Sequence, residues 1–182
     1  IFAFDNMSRA IQLILILFIT SFITPINAHV KHYDKLNRIE FDIFRNNKHI
    51  GKHIFSFKKE ENQLIVESEI NFQIKKLGVV LYTYNVQGTE YYKDGKLTKF
   101  ISKTNQNGKD KYVNLRLEGE EFIIDGSSFK GKVPRNYLLG TWWNHGIIDA
   151  KAQISAVSGR IIEQNVDFIG KEEIIIDGKT YN

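Results

Sequence analysis

The side chain in this sequence best placed to do chemistry is Glu90. Val80, Tyr82, Tyr84 and Val86 alternate along one side of a segment, and Glu90 and Tyr92 continue the same parity. A carboxyl carried into an apolar interior needs a hydrogen-bonding partner and has its pKa pushed upward, which are the properties of a ligand anchor or a general acid. Gly88 leaves a second reading open. A β-bulge there would slip the phase by one, send Glu90 to solvent and turn Thr89 and Tyr91 inward.

The histidines offer less. His49 and His53 are four apart, a metal-binding spacing on a helix, but along a strand about 13 Å separates them, too far to share an ion. His29 is the one speculative metal ligand: as the first residue of a processed chain, its free amine and imidazole together could hold copper. Nucleophile elbows, glycine-rich phosphate loops and His-Glu-x-x-His zinc motifs do not occur, so no catalytic residue and no cofactor is assigned. The aromatic residues, at alternating positions in strands, read first as core filling, with a cavity as the alternative. With 13 Phe, 8 Tyr and 2 Trp, the chain could wall an apolar cavity with Phe57, Phe72, Tyr82 and Tyr84 and place Trp142 or Trp143 at its mouth.

These side chains need a scaffold, and composition limits its kind. A length of 182 residues suits one domain with a full core, and the absence of Cys excludes disulfides, cysteine-based zinc sites and thiol nucleophiles. The formal charge is +4. Lys and Glu nevertheless alternate along the whole chain instead of clustering the cations, so no nucleic-acid partner is expected.

The first residues read as an address. Ile1 to Asn6 precede Met7, the only methionine, and read as upstream residues. Arg9, the apolar run Ala10 to Ile23 and the small residue Ala28 then give the three regions of a signal peptide over 7–28. That run is short of the ~20 residues that span a bilayer, so the expected location is periplasmic, with a single domain over 29–182.

From Arg38 the pattern turns to period two. Val66, Ser68, Ile70, Phe72 and Ile74 alternate with Glu67, Glu69, Asn71, Gln73 and Lys75. Asp94-Gly95 and Asn107-Gly108 supply the positive φ that tight hairpin turns require. Further strands are expected at 152–157 and through Ile162, Gln164, Val166 and Phe168. The last hairpin, turning at Asp177-Gly178, is expected to lack its second strand, which suggests truncation at the C-terminus. The fold class is therefore all-β: an antiparallel meander of about ten strands curled into a barrel or half-barrel, since a flat sheet would expose its apolar face and two long edges. One short crossover, over about 133–151, caps it. Within it Leu138 and Trp142, and Leu139 and Trp143, have the four-residue spacing of a helical turn.

The runs Phe41-Asp42-Ile43-Phe44-Arg45 and Ile50-Gly51-Lys52-His53, Tyr82-Thr83-Tyr84 leading to Glu90 through Leu97, the Thr104 to Gly108 turn and the Trp142-Trp143 pair resemble a family of secreted proteobacterial proteins catalogued as a domain of unknown function. The resemblance covers 38 to about 170. It implies a curved β-sheet, at one remove like the periplasmic carriers of lipid or apolar ligands, and implies no activity. That family commonly has Trp where this chain has Tyr92.

The expectation is a non-catalytic periplasmic protein whose interior binds an apolar or amphipathic small molecule or lipid, or which serves in cell-envelope assembly through peripheral contact. An integral outer-membrane β-barrel and a copper-dependent enzyme using His29 are the alternatives.

Overall fold

A computed structural model describes residues 35–176 and 178–181. Residues 1–6, the leader expected over 7–28 and His29 lie outside the described residues.

Eight strands form one sheet in chain order: β1 (Arg38–Arg45), β2 (Lys48–Glu60), β3 (Gln63–Lys76), β4 (Val79–Lys93), β5 (Lys96–Gln106), β6 (Lys109–Glu118), β7 (Glu121–Gly126) and β8 (Lys130–Pro134). Every neighbouring pair is antiparallel, and the turn residues explain why. Asn46, Asn47, Asp94, Gly95, Asn107 and Gly108 all have the positive φ of tight hairpins, which Asn, Asp and Gly adopt most readily. The meander is thus as expected, but β1 and β8 share no ladder among the described residues, so no closed barrel is found.

The crossover leaves β8 and supplies β9 (Leu138–Leu139), a single 3-10 turn (His145–Ile148), β10 (Ala152–Ile154) and β11 (Ile161–Glu163). The helical turn expected from Leu138 to Trp142 does not form. Leu138 and Leu139 are extended and pair in parallel with Gln153 and Ile154. Trp142 then takes a left-handed backbone (φ 69°), which cannot continue a right-handed helix. Helical structure begins only after Asn144, whose side chain accepts from the Gly146 amide as a cap.

Beyond β11 the expected strand through Val166 and Phe168 is also absent; both side chains are exposed. Gln164 explains the stop. Its amide donates to the carbonyls of Ile147 and Ala150 and accepts from Gln153, so the chain is tied to the crossover instead of extending a ladder. β12 (Ile174–Ile176) and β13 (Lys179–Tyr181) pair as a two-stranded hairpin. The expected lack of a second strand there is therefore corrected, since three residues supply it.

One face of the large sheet is packed and the other is wet, as period-two strands require. Two clusters make the core. Phe100, Val113, Leu115, Phe122, Ile124 and Val133 of β5–β8 meet Leu139 and Ile154 of the crossover. Phe55, Phe57, Val66 and Tyr92 of β2–β4 meet Trp143. The same short crossover therefore closes both halves of the packed face. Among the described residues, every buried side chain lies between Phe55 and Ser158.

Gly88 sits at the centre of this face and forms no bulge. Ser68, Gly88 and Ser102 lie side by side in register, and the irregularities fall at Ile74/Lys75 and Tyr91/Tyr92 instead. A Cβ on Gly88 would stand 2.7 Å from Ser68 Oγ and 3.1 Å from the Phe100 ring. The glycine is thus a seat for Phe100. Replacing Gly88 with Val should destabilise the domain by about 1–3 kcal/mol, the usual cost of overpacking. Urea denaturation checks this, and a midpoint equal to that of the parent would contradict it.

Candidate functional site

Because β4 keeps its phase through Gly88, the stripe Val86, Gly88, Glu90, Tyr92 points wholly inward. Glu90 is 0% exposed. An isolated carboxylate at such depth is untenable, so the groups around it matter. Trp143 Nε1 donates to Glu90 Oε1 at 2.7 Å, and the Tyr92 hydroxyl donates to Oε2 at 2.5 Å. Each oxygen therefore has one donor. Thr141 adds a hydroxyl that lies close enough to favour the ionised form, although it makes no hydrogen bond of good geometry.

The electrostatic outcome is a contest between burial and these donors. Burial dominates and pushes the Glu90 carboxyl up to about 7, while Tyr92, Trp143 and Thr141 pull the other way. For Tyr92, burial and then the adjacent Glu90 push the phenol well above its ordinary value, so it remains a neutral donor. Asn144 touches the same phenol from the crossover side. The result is a polar knot of Glu90, Tyr92, Thr141, Trp143 and Asn144 inside an apolar core. Trp143 also packs edge-on against Phe57 at 5.4 Å and Tyr92 at 5.6 Å.

A pocket of about 220 Å³ opens beside the knot, between the sheet and the crossover. Leu97, Leu117, Phe122, Leu138 and Leu139 give it apolar walls, and Tyr92 and Asn144 bring the polar knot to its lining. Lys96, Arg135 and Asn136 are its exposed residues. Arg135 is already paired with Glu120 at 2.6 Å, which leaves Lys96 as the cation at this mouth without an ion pair among the described residues. A larger hollow of about 630 Å³ is lined mainly by residues of the polar parity, such as Asn71, Asn85, Gln87 and Asn105, and holds none of the buried knot.

The seven expected site residues therefore divide into three places. Phe57, Glu90 and Trp143 come together in the knot. Phe72, Tyr82 and Tyr84 form a separate stack toward the far end of β3 and β4, with ring centroids 5.1 and 6.0 Å from Phe72. Trp142 is 71% exposed and joins neither. A single cavity walled by all of them is thus not what the fold builds. Thr141 and Asn144 lie in the crossover, where no periodic signal announces them, and the apolar pocket walls come from the crossover and from the strands that face it. His49 is spent on Asp42 at 3.0 Å, and His53 is half-buried against Phe55, its pKa lowered by burial. Among the described residues no group of three His, Cys, Asp or Glu side chains could hold a metal ion.

Residues 41–182 match the model of a family described as a domain of unknown function, DUF6134, and the chain belongs to that family. No curated protein and no solved structure matches.

The raised carboxyl makes a pH prediction. Between about 4.5 and 7 the native state holds a proton on Glu90 that the unfolded chain has released. Stability should therefore fall as pH rises through that window and level off above it, by an amount on the order of 3 kcal/mol. Glu90→Gln should lack this slope. Urea midpoints for the two proteins at pH 5 and pH 8 are the measurement, and parallel curves would contradict the assignment.

Proposed function

We propose that this member of the family is a non-catalytic cell-envelope protein whose half-barrel sheet, wrapped over its crossover, binds a small amphipathic molecule in the pocket beside Glu90. The observation that carries this reading is the pocket's composition: apolar walls, a neutral phenol and an amide in the lining, and a cation at the mouth. Apolar concavities with a few placed polar groups are the usual form of small-molecule sites.

Size narrows the ligand. At about 220 Å³ the pocket falls below the ~300–1,000 Å³ typical of drug-sized ligands. It accepts a short chain or one end of a longer one. An apolar segment lies against Leu117, Phe122 and Leu139, and an anionic head meets Lys96. The knot behind Tyr92 provides rigidity: a pocket lining held by Glu90 and Trp143 does not collapse when the site is empty. The expected leader over 7–28 supports an envelope location. The outward residues Glu67, Glu69, Lys103, Arg116 and Glu118 are exposed, which favours a water-facing sheet over an integral barrel, whose outer band is apolar.

Residues 29–182 titrated with fluorescent fatty acids of increasing chain length test the reading. Saturable binding is expected, weakened about tenfold by Leu97→Trp, which fills the pocket at a cost of roughly 1.4 kcal/mol in affinity. Absence of saturable binding across the series, together with no amphiphile in the native mass spectrum of the purified protein, would overturn it.

A further inference from the structure

The opposite end of β4 carries a different feature. Pairing of β3 with β2 ends at Phe72, and pairing of β4 with β5 ends at Tyr84. Beyond those residues the β3–β4 hairpin projects with no further strand beside it among the described residues. Its tip is Lys75-Lys76-Leu77-Gly78-Val79-Val80-Leu81. Leu77 is 96% exposed, and Val79, Val80 and Leu81 are exposed as well.

Leu77 is also in the wrong place for folding. It has φ 50°, the first turn position of a tight hairpin, where the other such turns of this sheet have Asn46, Asp94 and Asn107. A leucine there bears left-handed strain that Asn or Asp largely avoids, and it adds apolar surface to solvent. Neither stability nor solubility explains it. Strained, exposed residues of this kind point to a contact made with something else.

We propose that this hairpin tip docks the protein on the surface of an anionic phospholipid bilayer. Charge selects that occupant. From Ile70 to Thr89 the sequence has no acidic residue, and Lys75 and Lys76 immediately precede the apolar tip. The adjacent turns at this end add Arg45, Lys48, Lys109 and Lys111 against Asp110 alone. Apolar side chains enter the acyl boundary while lysine stems lie along it with their ammonium groups at the phosphates. The stack of Phe72, Tyr82 and Tyr84 behind the tip is at the level where aromatic side chains favour the interface. The pocket beside Tyr92 lies at the far end of the 15-residue β4, about 45 Å away at ~3.3 Å per residue. The two sites are therefore testable independently.

The test uses residues 29–182, which include every buried side chain among the described residues. Because the chain has no Cys, Leu77→Cys and Asn114→Cys each place one environment-sensitive dye, at the tip and on the exposed mid-sheet face. Phosphatidylglycerol-containing vesicles should pellet the protein and blue-shift the dye at 77 but not at 114, and pure phosphatidylcholine vesicles should do neither. Leu77→Asp, which suits the turn better and keeps the fold, should weaken pelleting about tenfold or more. Lys75→Gln and Lys76→Gln should each weaken it about fivefold. Equal pelleting by the parent and Leu77→Asp would overturn the proposal. So would a failure to bind anionic vesicles, or a dimer in sedimentation equilibrium that Leu77→Asp abolishes without any vesicle binding, which would give the tip to a second copy of the chain.

Discussion

The hydrogen bond from Trp143 to Glu90 is the contact on which the rest of this fold depends. It joins the crossover to the middle of the sheet at a point where both partners are buried. A buried carboxyl without donors would be costly, and a buried indole without an acceptor would be less so, but the two together need each other. Around them the packed face divides into two clusters, one closed by Trp143 and the other by Leu139 and Ile154. The bond is thus one tether of the crossover, and the packing of Leu139 and Ile154 is another.

The sheet was legible from the sequence because alternation and turn chemistry act locally. The hairpin closed by Asp94-Gly95 needs only its own residues to form, and the same holds for Asn107-Gly108. Glu90 was harder. Its orientation depends on Gly88, and a glycine in a strand is as consistent with a bulge as with a seat for an aromatic ring; only Phe100, from the next strand, decides for the seat. The neighbouring tryptophans were harder again. Nothing local distinguishes Trp142 from Trp143, and the left-handed turn at Trp142 is what sends one outward and the other onto Glu90. The pocket was not legible at all, because its walls come from β5, β6, β7 and the crossover, and no spacing rule spans those elements.

The two ends of the long strands carry opposite chemistry. Near the β4–β5 turn the apolar face is roofed, polar groups are tied to one another, and the space left over is small and enclosed by the crossover. At the β3–β4 turn the apolar residues have no roof among the described residues, and the nearby charges are mostly positive. A continuous antiparallel ladder connects them, so the two proposed sites are kept at a fixed separation. This polarity follows from where the crossover lies. It covers only the part of the sheet that its short strands and single helical turn can reach.

The central claim is that Glu90 and Trp143 stabilise one another through their shared bond. The direct measurement is a double-mutant cycle in urea unfolding with Glu90→Leu, Trp143→Phe and the pair. The predicted coupling is about 1–3 kcal/mol, the range for contacting residues joined by a bond to an ionisable group. Additivity within ~0.5 kcal/mol, as found for distant sites, would contradict the account.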